Sequence, residues 1–210
     1  MEEKDIQNEL ASIRSIMERS SKFISLSGLS GILAGIYALI GSGIAYYILY
    51  NGERRDTYNP KYYSLEYFMD SDIGHLLILA ICILVASILT AYVLSSRQSK
   101  RKGQPIWSPA SKSLLFYMAT PLITGGILTL ILLHRGYYGI VSPSCLIFYG
   151  LALTSASNFT FSDVKYLGIL EIILGLIAAC LPGYGLLFWA LGFGVLHIIY
   201  GSMMYLKYDK

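Results

Sequence analysis

Charge is scarce in this sequence. Lysine, arginine, aspartate and glutamate together make up 14% of its 210 residues, whereas 55% are hydrophobic. A soluble domain of that length needs more charge to cover its surface, so the composition points to a membrane protein. Cysteine is nearly absent as well. Cys82, Cys145 and Cys180 are odd in number and lie in apolar runs, which argues against a disulfide framework or a metal cluster and reads as buried small hydrophobes. Nothing at the N-terminus reads as a cleavable leader. The chain starts acidic, and its first apolar run is far longer than the roughly 7–15 residues of a signal core, so the first helix is expected to stay in the mature protein. No internal repeat supports an inverted-repeat transporter, and no cofactor is expected. The net charge of +3 gives no reason to invoke nucleic acid.

What the sequence does contain is apolar runs. A spanning helix needs roughly 20 apolar residues, and six stretches qualify, at about 24–50, 74–95, 113–133, 137–157, 164–181 and 185–206. They predict an all-α polytopic protein with six transmembrane helices over residues 23–210, preceded by a cytoplasmic amphipathic helix at 1–22. With six spans, one side receives Lys4, Arg14, Arg19, Lys22, Arg97, Lys100, Arg101, Lys102, Lys112, Lys165, Lys207 and Lys210. The other receives Arg54, Arg55, Lys61 and Arg135. Basic residues favour the cytoplasmic side, so both termini are expected inside.

Outside the spans, Ile6, Leu10, Ile13 and Met17 form one helical face. With five acids among 2–22, that helix lacks the polybasic character of a lipid anchor. The outer loop, 51–73, carries Asn59–Pro60, a helix-start pair, followed by Tyr62, Tyr63, Leu65, Tyr67, Phe68 and Met69. A short interfacial helix is expected there. Tyr46, Tyr47, Tyr50, Tyr58, Tyr137, Tyr138 and Tyr184 fall at the same level and read as an aromatic belt. The inner basic loop, 96–112, "SRQSKRKGQPIWSPASK", has no acid at all.

Two spans carry packing signals. In the first, Ser27, Gly31, Gly35, Ala38, Ser42 and Ala45 recur every three or four residues, a stripe that lets another helix approach closely. In the third, Pro121 removes a helical donor and Gly125–Gly126 weakens the next turn, so a hinge is expected there.

Glu171 is the chemical clue. It lies about 10 Å of helix rise inside the fifth span, where an isolated charge costs at least a few kcal/mol, so it either holds its proton or has a partner. The tight turn "LPGYG" makes the fifth and sixth spans antiparallel neighbours, and residues at equal depth then have numbers summing to about 368. Glu171 meets His197 on that count, flanked by Gly168 with Gly201 and Gly175 with Gly194 on facing small-residue stripes. Tyr37, Thr120, Thr124 and Tyr149 lie at similar depth and are candidates for lining a ligand or proton site with the pair. A buried pair that only fixes helix register is the competing reading. Asp70, Asp72, His75 and His134 gather at the outer surface as weak metal candidates whose spacing matches no defined motif.

The stretches "RSIMERSSKFISLSGLSG" and "GYGLLFWALGFGVLHIIYG" resemble those of a family of bacterial six-helix inner-membrane proteins that carries no established activity. The resemblance spans the chain and implies location, not mechanism. "AGIYA" at Ala34–Ala38 resembles the alanine motif of vitamin-binding S-components of energy-coupling transporters. "FSD" at Phe161–Asp163 resembles the filter motif of a bacterial six-helix potassium-channel family. There it belongs to the first span, and here it opens the fifth, so that filter does not carry over.

The sequence therefore predicts a protein of the bacterial inner membrane that binds or transports a small solute or lipid-like molecule, with Glu171 and His197 at its core. The alternative is a non-transporting partner or sensor, or an S-component-like subunit, acting through the small-residue face of the first span. An intramembrane enzyme ranks last, because one Glu and one His are too few for a metal hydrolase. The expected surroundings are the lipid bilayer, a small-molecule ligand, and a second copy or another membrane protein.

Overall fold

The computed structural model describes residues 22–23, 25–51, 71–103 and 105–209. The expected 1–22 helix apart from Lys22, the expected interfacial helix after Asn59, and Asp70 lie outside these residues. Among the described residues the chain is entirely helical. We label the helices α1 (Gly28–Asn51), α2 (Asp72–Arg101), α3 (Pro109–His134), α4 (Tyr138–Ala156, with a 3-10 turn Ser157–Phe159), α5 (Val164–Cys180) and α6 (Gly185–Asp209). All but α5 are long and apolar enough to cross a membrane. With 17 residues, α5 sits at the lower limit for a span.

The first three helices start where a side chain supplies a missing acceptor for their first amide groups. Ser71 accepts from the Gly74 amide at the head of α2. Ser108 and Ser111 cap each other across the first turn of α3, with Pro109 just inside it. The Gly28 amide of α1 donates to the Asp209 carboxylate, 2.8 Å away at the far end of the chain. Asp209 also accepts from Ser27 Oγ and Gln98 Nε2, tying together the start of α1 and the ends of α2 and α6. Phe23 adds a bond from its amide to the Phe159 carbonyl. Both described chain ends thus lie at one end of the bundle.

The helices run up and down and form two groups of three. In one, α1 packs on α6 and carries α2 on its other side; in the other, α4 packs on both α3 and α5. α4 and α6, which run parallel, join the groups. Large apolar side chains such as Ile88 and Leu89 on α2 and Ile123 on α3 stand exposed, as expected for surfaces that meet lipid.

Three expectations are corrected here. α3 continues as one α-helix through Pro121, so the hinge is not observed. Phe148 packs into the space that a side chain at Gly125 would fill, making that glycine a packing position, and Gly126 faces open space. The inner loop is shorter than 96–112, because α2 continues to Arg101 and buries Ser95, Gln98 and Ser99 against the bundle. Cys82 and Cys180 are exposed, not buried; an apolar run in a membrane protein has a lipid side as well as a core side.

The irregular element is α6. It winds as an α-helix at Gly185–Trp189, widens to a π-helix over Ala190–Leu196, returns to α at His197–Met204 and widens again at Tyr205–Asp209. Widened turns of this kind recur at functional sites.

Candidate functional site

Glu171 and His197 meet. The Glu171 side chain is completely buried, and its Oε1 lies 3.4 Å from His197 Nδ1. The register sum located this contact, but the facing stripes that accompanied it are wrong. Gly168 packs against Gly150 and Thr154, and Gly175 against Pro143 and Ile147, all on α4. Gly194 meets Leu39 and Gly35, and Gly201 meets Gly28, Gly31 and Ile32, all on α1. Small residues therefore pull α5 onto α4 and α6 onto α1, and the acid and imidazole bridge the seam between the two groups.

The protonation pattern of the imidazole follows from its neighbours. Nδ1 lies 3.0 Å from the Gly192 carbonyl oxygen, which can only accept, so Nδ1 carries the hydrogen. In the neutral ring Nε2 is then the acceptor, and the Tyr149 hydroxyl donates to it over 2.8 Å. Gly192 lies within the widened turn of α6, which brings its carbonyl to the ring five residues on. Phe193, against both Tyr149 and His197, fixes the two rings. The Nδ1–H points at Gly192, so the 3.4 Å approach of Glu171 is electrostatic contact without a hydrogen bond. Neither carboxyl oxygen has a hydrogen-bond partner.

Chemically this is a three-membered relay: hydroxyl, imidazole, carboxyl. Were the imidazole to turn from the Gly192 carbonyl to Glu171, a proton could pass between ring and carboxyl. Tyr149, which sequence reasoning selected only by depth, is a full member. The other depth-matched residues are not. Tyr37 bonds Thr90 across α1 and α2 at 3.3 Å. Thr120 and Thr124 are exposed on α3 and bond back to the carbonyls of Phe116 and Thr120. Asp72 and His75 open α2 while His134 closes α3, and among the described residues no three such side chains assemble as a metal site.

A second polar group escaped the sequence reading. Asp163, before α5, accepts from Lys207 Nζ at 2.8 Å and from the Tyr208 hydroxyl at 2.7 Å. The bond from Lys207, then that from Tyr208, holds its carboxyl below the usual carboxylate range. "FSD" marked the residue but gave it no partner. A cleft opens beside it: a lobe of about 230 Å³ lies between α5 and α6, and a second of about 330 Å³, sharing Asp163, Tyr200 and Met203 with it, lies along α6 at Lys207; the inner end of the first, at Leu170 and Leu196, adjoins Glu171 and His197 in sequence.

Comparison with protein-family models, with curated proteins and with solved structures yields no match to this chain.

Proposed function

We propose that the chain crosses a bacterial inner membrane six times with both termini in the cytoplasm. There it binds or moves a small solute or lipid-like molecule, with Glu171, His197 and Tyr149 as its protonatable core. The observation that carries this reading is a fully buried carboxyl with no hydrogen-bond partner, set beside an imidazole at the seam of two helix groups. An unsatisfied buried polar group costs roughly 1–3 kcal/mol. A contact serving only to fix register would be stronger with its bonds made. The basic asymmetry supports the orientation: Lys22, Arg97, Lys100, Arg101, Lys102, Lys112, Lys165 and Lys207 lie at the end where the described termini meet, and among the described residues only Arg135 lies at the other.

The partner or S-component-like reading loses its main support. Gly31 and Gly35 are covered by α6 of the same chain and Ala38 is buried, so the stripe offers no free docking face.

The test is retention of bound small molecules and lipids by the purified protein in nanodiscs, followed by native mass spectrometry between about pH 5 and pH 8, where an imidazole ordinarily titrates. Wild type should show pH-dependent retention and Glu171→Gln a flat profile with unchanged helicity. The same pH dependence in both proteins would overturn the proton-linked reading.

A further inference from the structure

The cleft between α5 and α6 has apolar walls and a polar mouth. Leu167, Leu170, Leu196, Ile199 and Met203 line its length, with Asp163 and Lys207 at its outer end. Ile199 and Met203 are more than half exposed along its rim, so the cleft opens sideways, toward what would be lipid in a membrane. Its width follows from helix packing: small residues draw α5 to α4 and α6 to α1, leaving α5 and α6 with little direct contact. Tyr200 lines both lobes, and its buried hydroxyl has no hydrogen-bond partner.

Charge selects the occupant. Lys207 is 59% exposed; Asp163 takes one of the three ammonium donors and holds the group at the mouth. Among the described residues, this end of the bundle carries the eight basic side chains named above against two carboxylates, Asp163 and Asp209. An apolar slot open to the bilayer and ending at an interfacial lysine on a basic surface suits one class of molecule.

We propose that the α5–α6 cleft is a binding site for an anionic phospholipid, with an acyl chain between Leu170 and Met203 and the phosphate at Lys207. This names the ligand class of the binding role above and rests on the reading of the chain as a membrane protein.

The experiment is competition between phosphatidylglycerol and phosphatidylcholine of identical acyl chains for the full chain in detergent, read by native mass spectrometry. Wild type should prefer phosphatidylglycerol. Lys207→Ala should reduce that preference about fivefold, the factor an interfacial lysine ordinarily contributes. Met203→Trp, which fills the slot from an exposed position, should reduce retention of both lipids while the protein keeps its helicity and its mobility on gel filtration. Equal retention of the two lipids by wild type overturns the proposal. So does retention unaffected by Met203→Trp, or competition by glycerol 3-phosphate as effective as by the whole lipid. A lipid preference in a protein whose retention has the same pH dependence with and without Glu171→Gln would leave this site standing while refuting the proton-linked reading; no preference, with a pH dependence that Glu171→Gln abolishes, would do the reverse.

Discussion

At Gly192 a methyl group would occupy space held by Glu171 Oε2 and Leu146. Leu146 is fully buried and belongs to α4, so three helices meet on the bare face of one glycine. Glu171 cannot retreat without opening a void, and Leu146 cannot turn outward. Gly192→Ala should therefore lower stability by about 1–3 kcal/mol, read as a lower unfolding midpoint in detergent. A variant as stable as wild type would show that the carboxyl is not packed against α6. Of this cluster, Glu171 and His197 were legible in the sequence because one acid and one imidazole stood at matching depth across a tight turn. Tyr149 was legible only as one of several residues at that depth. Depth along a helix does not give direction around it, which is why Thr120 and Thr124 were chosen with it and face outward, satisfied by their own helix.

Among the elements, α1 shows how small residues act when their partner is another helix of the chain. A side chain on Gly35 would run into the Gly194 carbonyl and Ile198, whereas one on Gly43, two turns on, would meet nothing within 4 Å. Gly35→Ala should cost about 1–3 kcal/mol through forced separation of α1 and α6. Gly43→Ala should be neutral or stabilising by up to about 1 kcal/mol, because alanine is the better helix former. Thermal unfolding of the two variants side by side checks this, and equal midpoints would contradict the packing. The stripe itself was plain in the sequence. Its partner was not, since small residues announce close approach without saying to what. The same ambiguity misassigned the glycines of α5 and α6 to each other. The Pro121 hinge failed for a related reason: a proline removes one donor, but neighbouring turns hold the helix, and the winding irregularity falls in α6, which contains no proline.

At the scale of the described chain, the two groups of three helices are joined by the α4–α6 contact and by the polar residues at their seam, while the described chain ends and eight of the nine described basic residues collect at one end. That polarity predicts topology. With Cys82, Cys145 and Cys180 replaced, a cysteine at exposed Trp107 should react with a membrane-impermeant reagent only from the cytoplasmic side. One at exposed Tyr137 should react only from the outside. The reverse pattern would remove the six-span, both-termini-inside arrangement. The positions of the helices were legible because hydropathy and length are properties of single segments. The grouping of helices was not, because it depends on which of several similar small-residue faces meet.

The central claim is that Glu171 exchanges a proton within the relay it forms with His197 and Tyr149. Infrared spectroscopy of the carboxyl stretch, taken on the protein in nanodiscs as a pH titration, tests this directly. The account predicts one carboxyl band that appears and vanishes reversibly with pH, is missing from Glu171→Gln, and titrates at a different pH in Tyr149→Phe, where the imidazole has lost its hydroxyl donor. A Glu171 band that stays constant over the whole pH range in which the protein remains folded would contradict it and leave the pair as a packing contact.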